Sequence, residues 1–547
     1  MRLTRIEIEN FKGIGERQTL ELAPITLLFG PNSAGKSTIL QALQYVRAIL
    51  EGENPDPDPY VDSGDVDYGG FKNLVHGHDL SKEIYIGLTI DLTDDDGSSI
   101  LNYSLGDSID EIEFAKLRLR YLAGGSEQIQ SLGVGLQISW SEQAARPYIS
   151  STHLEFNKER IAGLVSTQHR RGITIEHINY SHPLLWPESD PNYVADDDDP
   201  GNNPLWNELF YFHQHQTGEA SIWDMKPLNY SGLPGALANI DRSLQLFFHP
   251  SNSQLESEGD DESASVRVRG LNWLMDDLIL GPVRVVRHYL RSLVHIGPIR
   301  EIPDRTYQPT RSLSPWFRGR AAWDLLYSDD SEELLEDVNN WISREDRLAT
   351  GYEIVNRTVR EVPIPGVFDQ FFERNLEEDD LPELKELYTS LKLVRVVKLR
   401  DLANNIYVIP FDVGVGISQV IPVVVACCAD RSGLIAVEQP ELHIHPKIQV
   451  ELGDLLINTT AENAEKSLLM ETHSEHMLLR LLRRIQETTE GELPPGVGGL
   501  DRFDLSVIYA HPTEDGVKFK KLRVNPDGEF RDRWPEGFFG ERSEELF

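Results

Sequence analysis

The chain has 547 residues, of which 40% are hydrophobic, so it is long enough for two or three domains with sizeable cores. Its 52 Lys and Arg residues, against 89 Asp and Glu, give a formal net charge of −37. This balance excludes a surface that binds nucleic acid throughout, because non-specific DNA affinity comes mainly from phosphate neutralisation by Lys and Arg. Any contact with nucleic acid is therefore expected to be local.

The first part of the chain predicts extended structure, because apolar and polar residues alternate and turns separate the segments. The predicted strands are Leu3–Ile8, Leu20–Leu22, Ile84–Leu92, Ile112–Tyr121 and Leu132–Trp140. One helix, from Ser37 to about Leu50, interrupts them.

The string GPNSAGKS, from Gly30 to Ser37, fits the phosphate-binding pattern G-x-x-x-x-G-K-[ST] at every fixed position. An apolar strand precedes it and a helix follows, which is the context that the pattern requires. Loop amides and the helix N-terminus would hold phosphates, Lys36 would reach the outer phosphates, and the Ser37 hydroxyl would ligate Mg²⁺. The predicted ATP-binding residues here are Gly30, Pro31, Asn32, Ser33, Ala34, Gly35, Lys36, Ser37 and Thr38.

From about Arg170 to Thr310 the composition changes to prolines, clustered aromatics and acidic loops, which indicates an inserted region. Its prolines would break the heptads of a long coiled coil. Helices are predicted at Leu271–Val294, Glu332–Trp341 and Pro382–Leu393. We therefore predict an N-terminal lobe at 1–165, a largely helical insertion at 166–393 and a C-terminal lobe at 394–547.

The C-terminal lobe contains an apolar strand, Leu434–Val437, that ends in Glu438. Such a buried parallel strand delivers its acidic residue to the carboxyl end of a sheet, where Glu438 could hold Mg²⁺ directly or through water. A second apolar strand leads to His473, which could sense the terminal phosphate. Before both strands, the glycine-rich stretch Asp412–Gln419 precedes an apolar helix, Val420–Cys428, and suits phosphate contact.

The order of these motifs resembles the ABC-type ATPase heads of the RecF, SMC and OLD (overcoming lysogenization defect) group. The resemblance implies an α/β P-loop fold of mixed sheets plus helices, split by a large, mostly helical insertion. It assigns Walker A to the loop at Lys36, Walker B to Glu438 and the switch histidine to His473. The signature motif is assigned to Asp412–Gln419, with Gly416, Ser418 and Gln419 as nucleotide contacts.

Heads of this group dimerise head to tail, so Gly416 and Ser418 of one subunit would face the phosphate held by Lys36 of the other. Three further segments are similar to a bacterial subfamily of AAA-type ATPases. They are Tyr68–Val75, Gly297–Arg300 and Trp534–Arg542.

Two features depart from the family pattern. The glutamate that usually follows the Walker B acid is replaced by Gln439, which can orient water but cannot accept a proton as a carboxylate does. Hydrolysis is then expected to be slow, or to depend on Glu441 or His473. The second departure is the short tail after His473, which has the pattern of a β-hairpin and predicts no fused Toprim nuclease.

The pair His443 and His445 could bind a metal, although the resemblance places it in a loop that serves subunit contact. The stretch Tyr211–His215 favours a packed aromatic cluster, and the acidic blocks at 196–199 and 256–262 favour solvated loops. The adjacent cysteines, Cys427 and Cys428, suit neither a disulfide nor zinc. They favour a reducing, cytoplasmic setting, and the absence of a long apolar run predicts no membrane contact.

Taken together, the sequence predicts an ATPase that uses ATP and Mg²⁺ and forms a homodimer or larger homo-oligomer. The resemblance implies a role in DNA repair or anti-phage defence, with a separate nuclease or toxin as effector. One alternative is a slow or non-hydrolysing ATP-bound scaffold, for which Gln439 is the motivating residue. A RecF-like DNA clamp is the other, and the acidic charge disfavours it.

Overall fold

The computed structural model describes residues 1–52, 55–58, 69–92, 129–166, 173–179, 182, 235–244, 271–272, 275–304, 307, 309, 315–328, 331–362, 366 and 380–535. Several predicted features lie outside these residues. They are the strand Ile112–Tyr121, both acidic blocks, the stretch Tyr211–His215 and parts of the segments Tyr68–Val75 and Trp534–Arg542.

The N-terminal lobe is built on a seven-stranded antiparallel sheet with the order β2-β1-β4-β5-β6-β7-β8. Its strands are β1 (Arg2–Glu9), β2 (Gln18–Glu21), β4 (Ile84–Asp91), β5 (Ser131–Ser141), β6 (Arg146–Phe156), β7 (Glu159–Ser166) and β8 (Ile173–Ile178). In β1, Leu3, Ile6 and Ile8 are buried, so this strand has one apolar face. Four of the five predicted strands of this lobe are confirmed, whereas β6, β7 and β8 were not predicted.

A six-stranded sheet with the order β16-β15-β3-β14-β13-β9 joins the two ends of the chain. Its strands are β3 (Ile25–Phe29), β9 (Val294–Ile296), β13 (Gly433–Glu438), β14 (Lys466–Glu471), β15 (Leu505–Thr513) and β16 (Gly516–Leu522). All pairings between neighbours are parallel except that of β15 with β16, which forms the predicted C-terminal hairpin. Strand β14 therefore separates the phosphate-loop strand β3 from the acidic strand β13.

A small antiparallel sheet, β10-β11-β12, completes the strands of the described residues. It consists of β10 (Tyr352–Arg360), β11 (Leu393–Asp401) and β12 (Ile406–Val408).

Helices of the described residues contribute to the hydrophobic cores on both faces of the six-stranded sheet. They are α1 (Lys36–Glu51), α2 (Phe71–Leu74), α3 (Gly281–Arg291), α4 (Arg320–Tyr327), α5 (Glu332–Ser343), α6 (Leu381–Ser390), α7 (Val415–Cys428), α8 (Pro446–Glu462) and α9 (Glu475–Glu490). Helices α1, α5 and α6 match the predicted segments closely. Helix α7 begins at Val415, five residues before the predicted start.

The six-stranded sheet is buried on both faces, as its nearly continuous apolar strands require. In β3, Leu28 belongs to the core shared with the seven-stranded sheet, whereas Ile25, Leu27 and Phe29 belong to the core on the opposite face. This alternation follows from the two-residue period of a strand. Because both faces are covered, the ends of these strands are the part of the sheet that can carry chemistry.

The predicted α/β P-loop class, with mixed sheets and helices, is confirmed. The lobe boundaries remain a prediction, although β9 lies inside the predicted insertion 166–393 and pairs with β13 in the core sheet. No helix within the described ranges is long and apolar enough to cross a bilayer.

Candidate functional site

The phosphate loop is held between β3 and α1 by close backbone approaches. Gly30 has a φ of 144°, and a Cβ there would collide with the Ala510 carbonyl oxygen on β15. Gly35, with a φ of 82°, is the N-cap of α1. These two positions therefore require glycine for different reasons: close backbone packing at Gly30 and a left-handed turn into the helix at Gly35.

Lys36 and Ser37 lie on the first turn of α1 and face the carboxyl ends of the strands. Lys36 Nζ donates hydrogen bonds to the carbonyl oxygens of Gly30 and Pro31, both at 3.0 Å. The Ser37 hydroxyl donates to Glu471 Oε2 at 2.6 Å, and Lys36 Nζ lies 3.8 Å from Glu471 Oε1. Burial lowers the pKa of Lys36, and the nearby carboxylates of Glu471 and Glu441 oppose that effect.

Two carboxylates end adjacent strands at this edge of the sheet. Glu438, the last residue of β13, is directly in register with Glu471, the last residue of β14. Residues paired in this way project on the same face of a sheet, which here is the face of α1 and the phosphate loop. The predicted site residue Glu438 is therefore next to the loop. Glu471 lies between it and Ser37, and the sequence analysis did not select it.

Glu438 has a further partner that the sequence analysis missed. His295 on β9 is buried, and its Nε2 lies 2.9 Å from Glu438 Oε1. Strand β9 has only three residues, which is too short for a reliable prediction from pattern. The register of β9 against β13 is what brings this imidazole to the acidic strand end.

Glu441 fixes the turn after the acidic strand to the tip of β14. Its Oε2 accepts a hydrogen bond from the Thr472 hydroxyl at 2.8 Å, and its Oε1 accepts one from the His473 backbone N–H at 2.7 Å. With both oxygens accepting hydrogen bonds, Glu441 positions the segment that carries His473. Burial and the positive charge of Lys36 lower the pKa of His473, which favours a neutral imidazole close to the phosphate loop.

Comparison with known proteins agrees with this geometry. A family model described as "AAA domain" matches residues 5–168, and a second, described as "AAA domain, putative AbiEii toxin, Type IV TA system", matches residues 296–479. The first span contains the phosphate loop, and the second contains the acidic strand and His473. The chain carries an AAA-family P-loop ATPase domain in two segments. The predicted AAA-type character of the two segments is thereby confirmed.

Solved structures of SMC head domains align with most of this ATPase. The SMC head domain from Thermotoga maritima has 9% identity and a TM-score of 0.35, and the alignment covers 96% of this chain and 100% of that one. A Pyrococcus furiosus Smc head with an extended coiled coil, bound to the C-terminal domain of ScpA, has 10% identity and a TM-score of 0.38, with 95% and 96% covered. TM-scores this low do not decide a fold, which rests here on the strand order. A search among curated proteins found no match.

Arg300 connects the two halves of the ATPase site and was not predicted as a site residue. It follows β9 and is only 2% exposed. Its Nη2 donates to the Glu438 carbonyl oxygen at 2.7 Å, and its Nη1 donates to the Gln419 carbonyl oxygen at 3.2 Å. Burial lowers the pKa of Arg300 to about 10, while Glu441 and Glu438 oppose that shift. Arg300 thus ties the acidic strand end to helix α7.

The signature stretch is arranged differently from the prediction. Ser418 is 0% exposed and donates its hydroxyl to the Pro410 carbonyl oxygen at 2.9 Å. Gln419 is also buried, and its side chain exchanges two hydrogen bonds with the Arg300 backbone at 3.1 and 2.6 Å. A Cβ at Gly416 would overlap the His443 carbonyl oxygen. In this conformation Ser418 and Gln419 point inward, so the prediction that their side chains are nucleotide contacts has no support from their placement.

The exposed part of the signature stretch lies just before these residues. Phe411 is 60% exposed and Val415 is 52% exposed, and Gly414 between them is also exposed. Helix α7 begins at Val415, so its N-terminal backbone N–H groups are at the surface.

The histidine pair after the acidic strand has a structural explanation. His445 is the N-cap of α8, where its Nδ1 accepts a hydrogen bond from the Lys447 backbone N–H at 3.2 Å. His443 has a positive φ of 63° in the turn before it. Across the described ranges, no group of three or more His, Cys, Asp or Glu residues could hold a metal on its own.

Proposed function

We propose that this protein binds ATP with Mg²⁺, hydrolyses it slowly, and uses ATP-linked dimerisation to switch a partner. The observation that carries this proposal is the convergence of Lys36 and Ser37 with the carboxylates of Glu438 and Glu471 at one sheet edge. A loop that carries a lysine at a helix N-terminus, beside carboxylates, can bind a nucleoside triphosphate together with its metal ion.

The residues present suit Mg²⁺. Ser37 and Glu438 offer a hydroxyl and a carboxylate, the hard oxygen ligands that this cation prefers. Mg²⁺ is usually held by one or two carboxylates together with phosphate oxygens, so the site does not need a complete protein cage. When bound, the cation would neutralise charge on the phosphates.

Turnover converts ATP and water to ADP and phosphate, and the water must be oriented for in-line attack. Gln439 is at the correct place in sequence, and its backbone N–H donates to the Glu471 carbonyl oxygen at 2.7 Å. Each oxygen of Glu441 already accepts a hydrogen bond, and these bonds hold its carboxylate in the turn. We therefore expect the Gln439 amide to orient the water, and neutral His473 to contact the terminal phosphate. Because an amide cannot accept the proton of the water, hydrolysis is expected to be slow.

Dimerisation is supported by the exposed loop before α7. Phe411 and Val415 are large apolar side chains at the surface beside the N-terminus of a helix. A second copy of the chain could cover them and bring the backbone N–H groups of α7 to the terminal phosphate held by Lys36. In this version of the head-to-tail dimer, the contact is made by Gly414, Val415 and backbone groups instead of the Ser418 hydroxyl.

The biological setting we propose is anti-phage defence or DNA repair, with a separate effector. The description of the second family model names an AbiEii toxin of a type IV toxin–antitoxin system, which supports the defence role and a toxin-like partner. Contact with nucleic acid would be local, because the net charge is −37.

A second candidate is an ATP-bound scaffold that does not hydrolyse. The observation that favours it is the combination of Gln439 with a Glu441 carboxylate that already accepts two hydrogen bonds. In that case the ATP-bound dimer would be the long-lived form.

The test is ATP turnover with Mg²⁺, with oligomeric mass measured by light scattering with and without ATP. Lys36→Ala should abolish both ATP binding and ATP-linked assembly. Lys466→Ala is a matched control, since it also removes a buried lysine that donates to a backbone carbonyl, here that of Cys427 at 2.9 Å, away from the loop. Tight ATP binding without turnover would select the scaffold. Equal ATP binding by the wild type and Lys36→Ala would contradict both functions.

A further inference from the structure

Glu471 is a buried carboxylate that follows three buried apolar residues, Leu468–Met470. It ends β14, the strand between the phosphate-loop strand β3 and the acidic strand β13. Its backbone is in register with Leu28 on one side and Glu438 on the other. The residue is 6% exposed, and a buried carboxylate is costly unless it has partners.

The partners of Glu471 are the two functional side chains of the phosphate loop. One oxygen accepts the hydrogen bond from the Ser37 hydroxyl at 2.6 Å, and the other lies 3.8 Å from Lys36 Nζ. Glu471 is buried, and its backbone is in register with that of Glu438 on the neighbouring strand. The fold therefore places a second acidic group beside Glu438 at an energetic cost.

Glu441 and Glu471 differ in the groups that donate hydrogen bonds to their carboxylates. Glu441 accepts hydrogen bonds from Thr472 and His473, which fixes a turn. The Glu471 carboxylate does not fix a turn in this way: among the described residues, the hydrogen bond that it accepts comes from the Ser37 hydroxyl, which is the expected metal ligand. A carboxylate oxygen 2.6 Å from such a hydroxyl lies within the space that a divalent cation and its ligands would share.

We propose that Glu471 is a carboxylate ligand of the divalent cation, directly or through one water, beside Ser37 and Glu438. This inference rests on the proposed ATP-binding function and assigns its metal site a second acidic residue. Two carboxylates and a hydroxyl are a donor set that favours a hard cation such as Mg²⁺ or Mn²⁺. Bound in this way, the cation would neutralise part of the charge of Glu471, and Lys36 would be available to bind the phosphate.

The experiment measures how binding of a fluorescent ATP analogue depends on Mg²⁺ concentration, which does not require turnover. Glu471→Gln keeps the size of the side chain and an oxygen that can accept the Ser37 hydrogen bond, but removes the charge. We expect the Mg²⁺ concentration for half-maximal binding to rise by about tenfold or more. Electron paramagnetic resonance of Mn²⁺ with ATP should show the same loss of affinity directly.

Glu155→Gln is the matched control. Glu155 is a partly buried carboxylate of the seven-stranded sheet, paired with Arg5 at 2.7 Å, and burial raises its pKa. The substitution Glu155→Gln should leave the Mg²⁺ concentration for half-maximal ATP binding unchanged. If Glu471→Gln does not fold, Glu471→Asp provides the second test, because it keeps the charge and shortens the reach, and we expect a smaller rise in the Mg²⁺ requirement.

The outcomes separate the two proposals. A Mg²⁺ requirement in Glu471→Gln within about twofold of the wild type, with ATP binding intact, would overturn the metal role of Glu471 alone. A wild-type protein that binds no ATP analogue, or binds it equally well with Lys36→Ala, would overturn the proposed function itself.

Discussion

Replacing Arg300 with methionine should destabilise the protein and uncouple α7 from the acidic strand. The substitution removes the hydrogen bonds to the carbonyl oxygens of Glu438 at 2.7 Å and Gln419 at 3.2 Å. Each hydrogen bond from a charged donor contributes about 1.5–3 kcal/mol, so the loss of two such bonds costs about 3–6 kcal/mol. Burial already lowers the pKa of Arg300, so its hydrogen bonds do not fully offset the cost of burying its charge. We therefore expect the free energy of unfolding to fall by an amount near the lower limit, about 3 kcal/mol.

Thermal unfolding without nucleotide measures this loss. At about 2 °C per kcal/mol, the lower end for long chains, the midpoint should fall by about 6 °C. Arg284→Met is the matched control, because Arg284 is equally buried and donates to Asp276 at 2.6 Å and the Ile240 carbonyl at 2.8 Å, far from the site. Both variants should lose stability, and only Arg300→Met should also lose ATP turnover. A fall of less than about 2 °C for Arg300→Met, or an equal loss of turnover in both, would refute the reasoning.

Three further predictions test neighbouring parts of the site. Gly416→Ala should lower the free energy of unfolding by about 1–3 kcal/mol, because its Cβ would overlap a backbone carbonyl, whereas Gly414→Ala meets nothing within 4 Å and should unfold like the wild type. Gln439→Glu should raise ATP turnover and shorten the life of the ATP-bound dimer; unchanged turnover in a steady-state assay would mean that this position does not limit hydrolysis. Burial raises the pKa of Cys427 to about 11 and also raises that of Cys428, so at pH 8 the thiolate of Cys427 is on the order of one-thousandth populated. Both thiols should react with a colorimetric thiol reagent much faster on unfolding, and rapid reaction of the native protein would contradict the raised pKa values.

The parts of the site that local sequence defines were predicted correctly in position. The phosphate loop and the acidic strand end are contiguous patterns, so Lys36, Ser37 and Glu438 could be found without knowledge of the fold. Their roles as ligands of ATP and Mg²⁺ remain predictions. The C-terminal hairpin was also predicted, since it depends only on alternation and a turn.

The parts that depend on strand order could not be predicted. Nothing in the sequence states that β14 lies between β3 and β13, and that order alone places Glu471 against Ser37. His295 reaches Glu438 through the register of a three-residue strand. Ser418 points inward because the Pro410 carbonyl oxygen accepts its hydrogen bond. A sequence motif alone does not indicate this contact.

The placement of β3 between β14 and β15 has a consequence for biosynthesis. Ser37 and Glu471 are 434 residues apart, and translation at 5–20 residues per second needs roughly 20–90 s to cover that interval. During this time the phosphate loop has left the ribosome, but both neighbours of its strand are still missing. The seven-stranded sheet, whose pairings are mostly local, can form first, and the ATP pocket closes only after β14 and β15 have been synthesised. A chain that ends before β14 would therefore carry the phosphate loop without a working pocket, and the ability to bind ATP distinguishes it from a chain that contains β14 and β15.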